Sequence, residues 1–415
     1  MENNKILENM ECHKKCCCAE ENVSKTHSVV GRFFTFCALH LFGFDRHNTT
    51  SCMKRKQKKE VSRDAWLQSF GLLRSKDVPS NLQEVHLIVG YRPNPSSFSY
   101  CLKSIFYPTN EMMNFWTHFV AFVILVYRFY TIFAYKLQGP LNDPLYYPVW
   151  VYCFGFSGMP FGSCLAHLFN CYSRNVREAC WFCDYVSITL STFASAIVYH
   201  HFICPYTCIG VSYDYYIEAL GVVSILGHAA CCYSRRMTSG IRYLFRSLVF
   251  VFLYVASTLP CAYLYIFRAA ESLTLMSTYD VHDDKRCVLD STNFIPLLSL
   301  VTIFCFLTMY FNVSKVPEKY FPGTFDIIGH SHNWMHICIG LAFYFQTYLL
   351  EGPLLEADAR RATNTLTPED LHITWWNTIG IMTTTAVCCF ATSSIMTYNL
   401  PCSSKKETTV NGNCR

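Results

Sequence analysis

The sequence has 415 residues, of which 52% are hydrophobic, 16% are aromatic and only 15% are charged. This composition excludes a long disordered chain, and a formal net charge of +5 is too small to indicate a nucleic-acid-binding protein. The apolar residues collect in blocks of about twenty, which is the length of helix that crosses a bilayer. The sequence therefore predicts an all-α, polytopic membrane protein.

Residues 1–110 are polar and mixed, and they are predicted to form a tail followed by a juxtamembrane segment. The first residues contain no apolar core of the signal-peptide kind, so no cleaved leader is expected. Four cysteines cluster in this tail, at Cys12, Cys16, Cys17 and Cys18. They could bind zinc, carry palmitate or remain unmodified thiols, and the sequence leaves these options open.

Eight apolar blocks follow, and each is long enough to cross a membrane as a helix. They are Phe115–Tyr135, Tyr147–Phe169, Cys180–His200, Tyr216–Tyr233, Tyr243–Phe267, Phe294–Phe311, His332–Leu350 and Trp375–Tyr398. Lysine and arginine are more frequent in the loops on the side that carries the N-terminal tail, so both termini are predicted to be cytosolic. The loops predicted to face outward contain Cys204, Cys208 and Cys287. Two of these three cysteines could form a disulfide, and the sequence does not determine which two.

Histidines and a serine recur at a spacing of one helical turn near the ends of two blocks. His332 and His336 lie at the start of the seventh block, and Ser163 and His167 lie at the end of the second. Two histidines one turn apart can bind one metal ion from a single helix. Because the second block ends and the seventh begins on the same side of the membrane, His167, His332 and His336 could supply three nitrogens to zinc, leaving a fourth position for water.

Other ionisable or polar residues are expected in the same cytosolic-side layer. Asp184 lies where the third block begins, which predicts a carboxylate near the first turn of that helix. Glu111 and Asn114 directly precede the first block, share one helical stripe with His118 inside it, and are with His118 the predicted binding residues. With zinc bound, Asp184 and Ser163 would hydrogen-bond to the ligands or position the water.

These residue types also have purely structural interpretations. A lone histidine in a membrane helix is more often a hydrogen-bonded interior residue than a metal ligand, so spacing alone leaves the zinc site a hypothesis. The pair Cys180 and Cys183 has no further partner, which favours ordinary thiols over a metal site. Arg128, near the far end of the first block, is expected to extend its side chain toward the membrane surface.

Several motifs occur in a recognisable order along the chain. They are Gly90-Tyr91-Arg92, residues within Asn110–His118, Ser163–His167, Asp184-Tyr185, Val316–Asp326 and Gly329–His336. Over about residues 85–350 this order resembles the progestin and adipoQ receptor family. The run Lys315–His336, the segment Cys171–Arg174 and the eighth apolar block are most similar to the membrane progestin receptor branch.

The resemblance implies a fold and a site. The fold is a seven-helix bundle over residues 111–350, with an external loop and an eighth transmembrane helix at 351–400 and a short cytosolic tail at 401–415. The site is a zinc ion near the cytosolic leaflet, held by residues that match His167, His332 and His336. Asp184 and Ser163 match the polar partners of the zinc water, an arrangement shared with zinc-dependent ceramidases.

Two functions from different classes follow from the resemblance. As a plasma-membrane receptor, the chain would bind a progestin-like steroid between its helices and signal inward, with G-protein coupling proposed for relatives. As the alternative, it would be a zinc-dependent, ceramidase-like hydrolase acting on the amide bond of a sphingolipid-like membrane lipid. A third option is a zinc ion that only joins helices.

Overall fold

The computed structural model describes residues 65–203, 215–237, 239–274 and 294–398. The described residues from Leu67 onward belong to one compact unit. The N-terminal cysteine cluster, the C-terminal tail and the three cysteines predicted in outward loops lie outside the described residues.

The juxtamembrane segment is short and irregular, and it packs onto the entry to the first long helix. Strand β1 (Leu73–Arg74) pairs antiparallel with β2 (Val89–Tyr91), and helix α1 (Phe98–Ser104) follows. Gly90 has φ +91° and its carbonyl accepts a hydrogen bond of 3.0 Å from the Asn110 backbone N–H. A Cβ at this position would lie 2.9 Å from that nitrogen, so only glycine permits the close approach. The segment predicted as the end of a tail is therefore part of the helical unit.

Eight long helices make up the rest of the described chain. They are α2 (Met112–Tyr135), α3 (Tyr147–Phe169), α4 (Arg174–Val198), α5 (Tyr216–Ser234), α6 (Ser239–Thr274), α7 (Phe294–Ser314), α8 (Ser331–Ala362) and α9 (Ile381–Tyr398). Within the described ranges, seven helices are long and apolar enough to cross a membrane. Helix α8 carries His332, Gln346 and Glu351 and is not among these seven. The predicted all-α, multi-pass membrane fold is confirmed.

Helix α4 begins earlier than the sequence predicts. It starts at Arg174 rather than Cys180, because the Ser173 hydroxyl accepts the Val176 N–H and caps the helix. The charge of Glu178 in this extension is balanced by Arg235. Asp184 consequently lies about 15 Å along the helix axis from its start, so the prediction of a carboxylate near the first turn is wrong.

Helix α8 continues past residue 350, where the bundle was expected to end. Its acidic residues in this extension have partners on neighbouring segments: Glu351 pairs with Arg128 and Lys136, and Asp358 accepts from the Tyr146 hydroxyl and the Gln138 N–H. Because these partners neutralise the charges, the helix needs no solvent-exposed loop there. Arg128 is 7% exposed and also stacks on the Tyr348 ring, so it does not extend toward the membrane surface as predicted.

Helices α3 and α4 pack closely, and this contact sets the position of the end of α3. Gly155 and Gly162 face α4, where added Cβ atoms would lie 2.7 Å from the Ala194 Cβ and 2.9 Å from the Ser187 Oγ, respectively. Small residues allow such close helix approach inside membranes. The apolar core on both sides of this contact includes Phe129, Tyr152, Phe156, Phe193 and Leu350.

Candidate metal centre

Three histidines converge at the end of the bundle where α3 ends and α2 and α8 begin; we call this the site end. His167 comes from the last turn of α3, and His332 and His336 come from the first two turns of α8. One ligand atom from each of the three lies within 4.8 Å of the others. The ring centroids are 5.2, 5.0 and 4.5 Å apart, so the three imidazoles surround one small volume that could hold a metal ion.

A carboxylate orients the His167 ring. The Glu111 Oε2 lies 2.6 Å from the His167 Nδ1, and the His167 Nε2 is buried with no hydrogen-bond partner among the described residues. If Nδ1 carries the proton and donates it to Glu111, the unprotonated Nε2 faces the shared volume with a free lone pair. This carboxylate–histidine contact is the usual way in which a protein fixes the tautomer of a metal-binding histidine.

Glu111 is itself held as a carboxylate. Burial opposes its ionisation, but the His167 ring, the Arg92 guanidinium and hydrogen bonds lower the pKa of Glu111 below its usual range. The side-chain amides of Asn114 and Asn170 donate to its two oxygens at 2.7 and 2.8 Å. Glu111 therefore accepts from residues on α2, on α3 and just beyond α3.

A backbone carbonyl and a side-chain hydroxyl of α2 orient the second histidine, His336. Its Nδ1 lies 3.1 Å from the Asn114 carbonyl oxygen and 3.1 Å from the Thr117 hydroxyl, which fits an Nδ1–H donated to α2. The Nε2 is then the nitrogen available for a metal ion. By contrast, burial lowers the pKa of His330 to about 4, and the Nε2 of this neutral ring lies 3.1 Å from the Asn110 carbonyl oxygen, so this ring holds the chain rather than an ion.

Three contacts fix the helix ends that carry the histidines. The Asn333 amide donates to the Asn114 Oδ1 at 2.7 Å, which joins α8 to α2. The Glu318 carboxylate accepts from the Ser331 N–H and hydroxyl, which satisfies the first turn of α8. The Arg92 guanidinium donates to the carbonyl oxygens of His167 and Leu168 at the end of α3, at 2.5 and 3.1 Å.

The other predicted residues also lie at the site end. His118 packs its ring 3.7 Å from the His336 ring, measured between centroids. Ser163 lies one turn before His167 on α3 and interacts with the Asp184 carboxylate of α4. The Asp184 Oδ1 is buried and finds no hydrogen-bond partner in the described part of the protein. Despite the longer α4, the structure thus brings together all eight residues singled out from the sequence.

Two cavities meet at the histidines. An apolar cavity of about 210 Å³ runs into the bundle between α3, α4, α6, α7 and α8, and a polar cavity of about 150 Å³ lies beneath the juxtamembrane segment. His167 and His332 line both cavities, whereas Asp184, Ser163 and His336 line only the apolar one. A ligand in the apolar cavity would therefore reach the histidines from within the bundle.

Sequence reasoning missed the supporting residues of the site. Arg92, Glu318 and Asn333 lie in motifs that carry the family resemblance, yet their contacts join segments far apart in the chain. Asn170 follows His167 by three residues, which is a signal that it could share the same helix end. Only the fold brings the end of α3 next to Arg92, which directly follows β2.

The donor set fits a metal ion. Three imidazole nitrogens with one open position are typical of catalytic zinc sites, and neutral imidazole also suits other late divalent metals. The His167 Nε2 is buried and has no hydrogen-bond partner among the described residues, so its lone pair is free to bind an ion. The residues present could therefore hold a metal ion.

Comparisons with known proteins give the family. The Haemolysin-III related family matches residues 106–347, a range that contains all eight predicted site residues. Membrane progestin receptor gamma of Mus musculus is 32% identical over 295 residues, 70% of this chain and 82% of that protein. Membrane progestin receptor delta of Homo sapiens is 30% identical over 70% of this chain and 80% of its own length, and membrane progestin receptor beta of Mus musculus is 26% identical over 68% and 75%. The chain thus belongs to the haemolysin-III-related, or progestin and adipoQ receptor, family of multi-pass membrane proteins.

Proposed function

We propose that this protein is a membrane receptor for a progestin-like steroid, with a zinc ion held by His167, His332 and His336 next to the ligand. The observation that carries the proposal is the apolar cavity that ends at these histidines. The names of the relatives, which are membrane progestin receptors, support the steroid class.

The lining of the apolar cavity suits a rigid apolar ligand with few oxygens. Most of its exposed surface is apolar and includes Ile188, Phe250 and Ile339. Nine side-chain hydroxyls and two side-chain amides provide the polar positions along the wall. Ligand sites of this kind bind mainly by burying apolar surface, while a few polar groups fix orientation. A steroid ring system with an oxygen at each end matches this distribution.

The proposal includes the direction of signalling. The basic loops favour a cytosolic site end and a cytosolic N-terminus in the plasma membrane. A ligand between α4, α6, α7 and α8 would shift α8 relative to α3, and both helices carry metal-binding histidines. The affected loops lie on the side where a G protein would bind.

Saturable binding of tritium-labelled progesterone to the purified full chain, in nanodiscs of neutral lipid, tests this proposal. Ile339→Trp should reduce the affinity at least tenfold because the larger ring fills the cavity. Ile337→Trp on the same helix is the matched control and should bind as the wild type does, since Ile337 is 38% exposed. Absence of saturable binding for progesterone and related steroids would contradict the receptor proposal.

A specific observation also supports a second candidate, a ceramidase-like lipid amide hydrolase. The unpartnered Asp184 Oδ1 and the neighbouring Ser163 face the cavity that His336 lines. A bound zinc ion would supply a Lewis acid at this point. Asp184 would take a proton from water and pass it to the leaving amine, while Ser163 holds the carboxylate in position.

Release of free fatty acid from ceramide in detergent tests the hydrolase. Asp184→Asn should lower the rate at least 100-fold while the zinc content, measured by mass spectrometry of the metal, stays at the wild-type level. Ser187→Ala on the same helix is the control, because this hydroxyl donates to backbone carbonyl oxygens. A rate that is the same with and without Asp184 would remove this candidate.

A further inference from the structure

Three cations surround one aromatic ring in the polar cavity at the site end. The Arg242 and Arg246 guanidinium carbons lie 4.9 and 5.6 Å from the Tyr243 ring centroid, and the Lys315 Nζ lies 3.8 Å from it. Arg242 and Arg246 lie one turn apart on α6, and Lys315 follows directly after α7. Two helices thus bring three positive charges to one point.

Along the described chain, none of these cations has a carboxylate within ion-pair distance. Arg246 donates to the Tyr185 hydroxyl and Arg242 donates to the Tyr243 hydroxyl at 3.2 Å, both of which are neutral acceptors. The Nε atoms of both arginines are buried without a hydrogen-bond partner within the described ranges. Burial lowers the pKa of Lys315 to about 8. The negative charges of Glu84 and Glu318 raise this pKa, whereas the positive charges of Arg246 and Arg242 lower it.

The carboxylates that line the same cavity accept hydrogen bonds from other donors, and none lies within ion-pair distance of the three cations among the described residues. Glu84 accepts from the Tyr243 hydroxyl at 2.8 Å, Glu318 caps Ser331, and Glu111 holds His167. The three cations are half-buried. Removing charges from water without a partner is costly, so a cluster of this kind in a cavity is a candidate ligand site. The missing counter-charge is therefore expected to come from a bound anion.

The cation cluster is continuous with the apolar cavity. Arg246 and Asn312 line both cavities, as do the histidines His167 and His332. One molecule can consequently place an anionic group among the cations and an apolar part in the bundle. A tetrahedral anion with three terminal oxygens matches three separate cations better than a planar carboxylate, which pairs with one guanidinium.

We propose that Arg242, Arg246 and Lys315 form a binding site for the phosphate-type head group of an amphipathic lipid whose hydrocarbon part occupies the apolar cavity. The proposal rests on the proposed function only in treating that cavity as a ligand site. The cation cluster requires neither a bound metal ion nor a steroid. The proposed ligand carries an anionic head group, and neither the steroid receptor nor the amide hydrolase needs such a group.

Native mass spectrometry of the full chain, released from a neutral detergent, tests the site with three probes. These probes are hexadecyl phosphate, hexadecanol and inorganic phosphate. Hexadecyl phosphate should bind at one molecule per chain and at least tenfold more tightly than hexadecanol, because only the former reaches the cations. Inorganic phosphate should bind at least tenfold more weakly than hexadecyl phosphate, because it lacks the apolar part.

Substitutions assign the binding to the cluster. Lys315→Gln should weaken hexadecyl phosphate binding at least tenfold and leave hexadecanol unchanged, and Lys315→Arg should restore most of the affinity. Lys319→Gln is the matched control, because Lys319 is exposed and lies four residues away on the same segment. The melting temperature of each variant shows whether it is folded, and the wild-type comparison of the three probes stands even if a variant does not fold.

Two results would overturn the proposal. Equal affinity for hexadecyl phosphate and hexadecanol would show that the cations do not bind the head group. Equal affinity for inorganic phosphate and hexadecyl phosphate would assign the cluster to a free anion instead of a lipid. Progesterone binding and zinc content, measured on the same preparation, can fail while the phosphate preference holds, so the two proposals are tested separately.

Discussion

Glu111 determines which nitrogen of His167 faces the candidate metal centre. Its Oε2 lies 2.6 Å from the Nδ1, and two asparagine amides hold the carboxylate in place. Without this acceptor, the His167 ring could rotate or change tautomer, and the Nε2 lone pair would no longer point at the other two histidines. Residues that hydrogen-bond a metal ligand fix its orientation and its tautomer, and they therefore contribute to metal affinity.

Removing this acceptor should therefore weaken metal binding. Glu111→Ala is expected to reduce zinc affinity by about 10- to 100-fold, whereas Glu111→Gln keeps an oxygen that can accept the Nδ1–H and should lose less. Competition with a chromophoric zinc chelator measures both variants. Equal affinity in the wild-type and Glu111→Ala chains would show that His167 needs no such orientation.

The sequence predicted the histidines better than their hydrogen-bond partners. The one-turn spacing of His332 and His336 is local, so helical geometry alone places both rings on one face. The contacts of His167 with Glu111, and of Arg92 with the end of α3, join segments about 56 and 75 residues apart. No periodicity in the sequence encodes such contacts, and their discovery required the fold.

Arg128, at the opposite end of the bundle, is another residue whose partners the sequence did not predict. Its guanidinium is buried against Glu351 and the Tyr348 ring, both on α8. Glu351→Gln should destabilise the protein by about 3 kcal/mol, because it leaves a buried cation without its counter-charge. Lys136→Gln removes the other partner of Glu351. Because the Lys136 side chain is 36% exposed, this substitution should lower the free energy of unfolding by about 1 kcal/mol or less.

Thermal unfolding of the two variants in the same detergent compares these costs. A larger fall in melting temperature for Glu351→Gln than for Lys136→Gln is the expected result. Equal falls would mean that Arg128 finds another partner or water when Glu351 loses its charge.

At the element scale, the close contact of α3 with α4 positions the histidine at the end of α3. Apolar blocks predicted that both helices exist, but helix starts depended on single contacts such as the Ser173 cap of α4. The apolar blocks did not predict the early start of α4, because the charged residues Arg177 and Glu178 are typical of a polar loop. In the fold, Arg235 neutralises Glu178. The continuation of α8 past residue 350 was missed for the same reason.

Glycine substitutions test the α3–α4 contact. Gly155→Ala should destabilise the fold by about 1–3 kcal/mol, because its Cβ would lie 2.7 Å from the Ala194 Cβ and 3.2 Å from the Leu190 carbonyl oxygen. Gly158→Ala on the same helix is the control, since nothing lies within 4 Å of a Cβ there. Its melting temperature should be unchanged or slightly higher, because alanine favours the helix. Similar losses in both variants would contradict close packing at Gly155.

At the scale of the whole molecule, the candidate metal centre joins helices that are distant in the sequence. The ends of α3 and α8 carry the three histidines, and α2 supplies the acceptors behind two of them. Eight consecutive apolar blocks in the sequence predict that the end of α3 and the start of α8 lie on the same side of the membrane. The overall arrangement of the site was therefore predictable. The two cavities and the unpaired cations were not, because they arise where α6, α7 and the juxtamembrane segment meet.

Because a bound metal ion would link α3 to α8, its removal should lower the stability of the whole bundle. A ligand present at 100 times its Kd stabilises a folded protein by about 2.7 kcal/mol, so chelation should lower the melting temperature by several degrees. His332→Ala provides the control: it should melt near the chelated wild type and show no further change with chelator. If chelator shifts the His332→Ala chain as much as the wild type, the stabilising metal lies elsewhere, and if it shifts neither, the histidines pack against each other without joining the helices through an ion.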